Sequence, residues 1–216
     1  MLDGPLVFVD VDTQRDFLDP DGALFVAGSG AIRANLARLT RFARDRGIPI
    51  LATACAHEPG DPEFAVFPPH CLVGTPGRDR VDETAWPGGP VFAPGGPIPG
   101  EIPPHLTIHK LQYDVFSNPD AGRLVALYGR GGPTFVVYGV ATDYCVRCAV
   151  EGLRDRGHKV AVVVDAIRAV DPAAEADVLT GFAGLGGLLT LTDVVCGNGG
   201  HATGPVQEAP PGTPGG

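Results

Sequence analysis

The chain has 216 residues, enough for one domain of above-average size, and its 44% hydrophobic and 19% charged residues can build a single large core. A net charge of −9 with no Lys/Arg run argues against a nucleic-acid surface, and no apolar stretch approaches the roughly 18 residues of a membrane span. The N-terminus MLDGPLVFVD has no basic region ahead of its apolar run and so does not read as a secretory signal. Five cysteines at irregular spacing suggest no disulfide framework, which makes a reduced, cytoplasmic setting the simplest expectation.

In chain order, short runs rich in Val, Ile and Leu predict strands at 5–11, 48–54, 105–109, 133–139, 159–164 and 187–192. Three are apolar at nearly every position, as strands covered on both faces should be. Between them, Ile32, Leu36, Leu39 and Phe42 fall at helical spacing over 30–46, with Gly47 as the stop. Asn118-Pro119 reads as a cap and first-turn proline opening a helix to about 129. A third helix is expected over 143–156, its stripe being Val146, Ala149, Val150 and Leu153, and a fourth from Pro172. Alternation of this kind predicts an α/β fold, a three-layer α/β/α sandwich around six mostly parallel strands. Residues 1–196 read as one domain. Within it, 56–104 is a long Pro/Gly-rich segment without a period, either a lid or binding loop or plain surface looping. The tail 197–216 has almost no apolar anchor and is expected to be disordered.

In an open parallel sheet, ligands bind beyond the carboxyl ends of the strands, where the winding reverses. Asp12 follows the first predicted strand, Lys110 the third, and Cys145 opens the helix after the fourth. Thr142 reads as that helix's cap, which would put Cys145 in a first turn where the helix dipole lowers a thiol's pKa. Only two of the sixteen basic residues, Lys110 and Lys159, are lysines, so a lysine at this place goes against the composition. A cysteine at a strand exit is nonetheless more often core filler, and from the residues alone both roles stay open.

The segments VDTQRDF (11–17), FPPHC (67–71), Lys110 within HKLQYDVFSNP, and GVATDYCVR (139–147) together resemble the isochorismatase-like cysteine hydrolases, nicotinamidases in particular. The resemblance runs over about 5–195, with the four motifs in the family's order. It implies that fold, with a six-stranded parallel sheet. It also implies Asp12 as general base, Cys145 as nucleophile and Lys110 as their partner. The N–H groups of Ala141 and Cys145 would form the oxyanion site, with a cis Val140–Ala141 bond. Phe17 and Phe67 match ring-sandwiching positions, Tyr113 is a further lining candidate, and Gln14 is expected at the substrate as a hydrogen-bonding brace. Asp16 reads equally as a brace or a turn residue.

Many members of that family bind a divalent metal with Asp-x-His, then Glu or His, then the His of FPPHC. The corresponding set is Cys55, His57, Glu63 and His70, a cysteine replacing the usual aspartate. Thiolate, imidazole and carboxylate suit zinc, with iron or manganese as alternatives; the replacement could equally leave the site vacant. No nucleotide cofactor is expected. The implied reaction is nicotinamide hydrolysis on a small-molecule amide, without nucleic-acid or membrane partners. Homo-oligomers, common in that family, stay open. A related amidase acting on a ureido, carbamoyl or maleamate-like substrate is the second reading, and a non-catalytic scaffold the third.

Overall fold

The computed structural model describes residues 2, 4–110 and 112–197. All six expected strands form: β1 (Leu6–Val11), β2 (Ile50–Cys55), β4 (His105–Lys110), β5 (Thr134–Val140), β6 (Lys159–Arg168) and β7 (Leu188–Thr190). A seventh, β3 (Val91–Phe92), corrects the strand count. It lies inside the Pro/Gly-rich segment, pairs Val91 with Thr107 and Phe92 with Ile108, and at two residues is too short to carry a period. Every ladder is parallel, in the order β3-β4-β2-β1-β5-β6-β7. The expected tail lies, from residue 198, outside the described residues.

Helices cover both faces, making three layers. Alternation within β5 shows how: Phe135 and Val137 join one core with Leu124 and Tyr128 of α3 (Ala121–Tyr128), Val150 and Leu153 of α4 (Arg147–Asp155) and Phe182 of α5 (Glu175–Gly184). Val136, Tyr138 and Val140 join the other with Phe17 of α1 (Arg15–Leu18), Leu36 and Leu39 of α2 (Arg33–Arg46) and Val195 of α6 (Thr192–Cys196). With period two and both faces covered, β5 is apolar at nearly every position.

The four expected helices start later than their sequence signals, α2 at Arg33, α3 at Ala121, α4 at Arg147 and α5 at Glu175. Residues 29–32 form a 3-10 turn before α2, which ends at left-handed Gly47 as expected. Asn118 does not cap α3: its side chain accepts from the Asp120 N–H at 2.9 Å and donates to the His109 carbonyl at 2.9 Å, tying the approach to α3 to the end of β4. No described helix is long and apolar enough to cross a membrane.

The winding reverses between β1 and β5, and the two run very close there. A Cβ on Gly139 would stand 2.0 Å from the Val11 carbonyl oxygen, and its φ of +117° is open mainly to glycine. Asp12 and the turn carrying Cys145 leave the sheet side by side at this point.

Candidate active site

Three strand ends bring the acid, the ammonium and the thiol together. Asp12 leaves β1 with φ +49° and is fully buried. Its Oδ1 accepts from the Thr53 hydroxyl at 2.6 Å, and its Oδ2 lies 2.6 Å from Lys110 Nζ. Lys110 ends β4, donates to the Tyr113 carbonyl at 3.1 Å and reaches Cys145 Sγ at 3.4 Å. Cys145, 8% exposed, sits in a π-helical turn, Thr142–Val146, between β5 and α4.

That turn differs from the expected capped helix. Ala141 holds the cap position, its carbonyl accepting from the Tyr144 and Val146 N–H groups at 3.1 and 3.0 Å, while the Thr142 hydroxyl is buried with no partner among the described residues. The Val140–Ala141 peptide is cis, as the resemblance implied. The expected depression of the thiol's pKa is overturned as well. Burial pushes Cys145 well above the ordinary thiol value, and the Asp12 charge and hydrogen bond add to this, outweighing the pull of Lys110. The resting sulfur therefore carries its proton beside a carboxylate that can take it. Burial works against the Lys110 charge too, but the Asp12 carboxylate at 2.6 Å holds this ammonium well above its usual pKa.

Cys145 opens onto a cavity of about 400 Å³, mouth included. Phe17, Phe67 and Tyr113 line it as expected, and so do Tyr144 and Val170, which sequence reasoning missed. Tyr144 meets Phe67 edge-on at 5.5 Å and Tyr113 at 6.1 Å, giving a slot walled by aromatic rings. Its position next to Cys145 was the available signal. Val170 comes from far along the chain: the Asp143 carboxylate accepts from the Val170 and Asp171 N–H groups at 3.0 and 2.9 Å.

Cys55 and His70 also line the cavity, and with His57 they bring one ligand atom each within 4.8 Å of one another, all three residues buried. His57 Nδ1 is bonded to the Asp61 carboxylate at 3.0 Å and His70 Nδ1 to the Pro68 carbonyl at 2.8 Å. These acceptors place the ring protons on Nδ1 and leave each Nε2 lone pair for an ion. His57 Nε2 is buried with no partner among the described residues. Burial pushes the His70 imidazole below its ordinary value, toward the neutral, ligating form. The residues present thus fit a divalent metal. Glu63 lines the same cavity with a buried Oε2 that has no partner among the described residues, yet it falls outside the cluster of mutually close atoms.

The isochorismatase domain family matches residues 6–194. The chain belongs to that family. It is 32% identical over 168 residues to the nicotinamidase/pyrazinamidase of Mycobacterium tuberculosis, covering 72% of this chain and 82% of that protein. Among solved structures, the pyrazinamidase/nicotinamidase of Streptococcus mutans shares 26% identity at a TM-score of 0.71, over 85% of this chain and 99% of that one. The Pyrococcus horikoshii pyrazinamidase in complex with zinc shares 25% at 0.71, over 87% and 99%.

What braces this isochorismatase-family site was only partly foreseen. Gln14 is fully buried and does not line the cavity, which corrects the expected substrate contact. Its amide accepts from the Cys55 N–H at 2.7 Å and donates to the Cys55 and Arg78 carbonyls at 2.8 and 2.7 Å, acting as an extra strand partner past the end of β2. Asp16 is a brace: its carboxylate accepts from the Ala23 N–H at 3.1 Å and from the Cys71 N–H at 2.6 Å, fixing the chain just beyond His70. Arg80, which carried no motif, pairs with buried Asp10 and donates to the Thr13 hydroxyl at 2.7 Å and the Thr53 carbonyl at 3.4 Å, pinning the long segment behind Asp12.

Proposed function

We infer that the chain is a cysteine-dependent amidohydrolase that converts nicotinamide and water to nicotinate and ammonia through a thioester on Cys145. The observation that carries this reading is the Lys110 ammonium, 2.6 Å from the Asp12 carboxylate and 3.4 Å from the Cys145 sulfur beside an aromatic-walled cavity. Asp12 takes the thiol proton, and the thiolate attacks the amide carbonyl. The N–H groups of Ala141 and Cys145 receive the tetrahedral oxyanion, the loss of one such donor typically costing about 3–4 kcal/mol in the barrier. Asp12 returns the proton to the departing ammonia. Water then attacks the thioester and gives a proton to Asp12; as the carbon–sulfur bond breaks, the leaving sulfur takes that proton back from Asp12, and release of the acid product completes the cycle.

Phe17, Phe67 and Tyr113, with Tyr144, present the flat walls a pyridine ring needs. Cys55, His57 and His70, with Glu63 at their edge, are the residues to hold a divalent ion, zinc first. When bound, the ion offers a Lewis-acidic position for the ring nitrogen. The relative from M. tuberculosis, named for nicotinamide and pyrazinamide hydrolysis, supports the same substrate class. Cys55, where the family commonly has aspartate, keeps a second reading in play: an amidase acting on a carbamoyl or ureido substrate, less dependent on an ion to orient a ring.

Ammonia release from nicotinamide, pyrazinamide, and carbamoyl and ureido amides, for wild type and Cys145→Ala, decides between them. Nicotinamide turnover abolished in a folded Cys145→Ala protein is the expected result. Undiminished turnover in that variant would remove Cys145 as nucleophile, and turnover confined to carbamoyl or ureido amides would favour the second reading.

A further inference from the structure

The donor cluster beside the cavity contains one sulfur among two imidazoles. Cys55 is the last residue of β2 and is buried, and its Sγ makes no hydrogen bond among the described residues. Its backbone is clamped on both sides by the Gln14 amide, so the thiol is aimed by a strand end and not by a mobile loop. The two imidazoles are oriented by Asp61 and Pro68, each Nε2 free of a protein proton. Charge also closes. A coordinated Cys55 thiolate and the neighbouring Glu63 carboxylate together offset the two positive charges of a divalent ion, next to a Lys110 ammonium already paired with Asp12.

Donor softness then decides which ion belongs there. Manganese and magnesium favour carboxylates, carbonyls and water; a thiolate with two imidazoles suits zinc and ions that mimic it. We propose that Cys55 sets the metal selectivity of this centre, its sulfur selecting zinc, cobalt(II) and cadmium over manganese and magnesium. The inference rests on the Cys55–His57–His70 cluster being the metal centre and is independent of which amide is hydrolysed. Three protein donors would leave a zinc ion room for a further ligand.

The test is optical and uses the full chain, stripped with chelator and titrated with cobalt(II) under reducing, oxygen-free conditions. Wild type should develop an intense near-ultraviolet sulfur-to-cobalt charge-transfer band. The band should persist in Cys145→Ala and Cys71→Ser and vanish in Cys55→Ser, whose circular dichroism should match wild type. Zinc should bleach it stoichiometrically, while an equal concentration of manganese should leave it intact and remain free by electron paramagnetic resonance. Cys55→Asp should raise manganese affinity relative to zinc on the order of 100-fold. Cobalt bound without the band, a band surviving in Cys55→Ser, no cobalt binding at all, or an unchanged manganese-to-zinc ratio in Cys55→Asp would each overturn the proposal. The band together with no turnover of nicotinamide would leave the metal assignment standing and remove only the substrate.

Discussion

The two ends of β4 carry two titratable groups at almost the same burial, His105 at 3% exposed and Lys110 at 2%, and their fates are opposite. Lys110 keeps its charge because Asp12 meets it at 2.6 Å. Among the described residues His105 has no counter-charge, and both its ring nitrogens are buried without partners. It stacks on Trp86 at 5.2 Å, itself capped by the Arg44 guanidinium, and burial drives its pKa down to about 3. Burial alone therefore does not make a reactive site; a paired charge at the carboxyl end of the strand does. At the amino end the same strand spends its polar residue on packing.

The largest effect should come from breaking the pair. Lys110→Ala leaves a buried carboxylate without its cation, which costs about 3–5 kcal/mol of stability by urea unfolding. It should lower kcat/KM on amide substrate by about 10³-fold or more, measured as ammonia release. A loss below about 1 kcal/mol would mean that the pair does little for the fold. The neutral end gives the next effect. The unfolded chain binds a proton on His105 below about pH 6.5, whereas the folded chain does so only near pH 3. Stability should therefore fall as pH drops through that window, by up to about 4 kcal/mol from this residue. His105→Phe should flatten the slope of unfolding free energy against pH by a comparable amount. An unchanged slope would show that the ring gains a partner on protonation.

The six longer strands and the three groups at strand exits were legible in the sequence because apolar runs and local motifs report them directly, whereas the neighbouring of β1 and β5 at the reversal point came only from the strand order. What the sequence did not reveal depends on distant side-chain-to-backbone contacts. Gln14 clamps a backbone 41 residues away, and Arg80 reaches Asp10 across 70. No spacing rule encodes either. Val91–Phe92 is held by pairing and one buried ring, not by a period. Thr142 has the residue type of a cap, yet the π-turn moves that position back to Ala141. The thiol's raised pKa was also out of reach, since it comes from enclosure by several elements at once.

Smaller effects sharpen the comparison by separating bracing from pairing. Gln14→Leu removes three hydrogen bonds and strands the Cys55 N–H and carbonyl, for about 2 kcal/mol of stability. Because it loosens the aim of Cys55, it should also weaken cobalt binding by about 10–100-fold. A stability loss with unaltered cobalt affinity would make Gln14 a structural brace only. The smallest effect belongs to Arg123→Ala. Arg123 faces Asp120 at 3.3 Å, but its side chain is 70% exposed, so solvent screens the pair and holding a long side chain offsets most of the attraction. A change within about 0.5 kcal/mol in urea unfolding is expected. Set beside Lys110→Ala, it measures how much of the buried pair's contribution comes from enclosure and not from opposite charge alone.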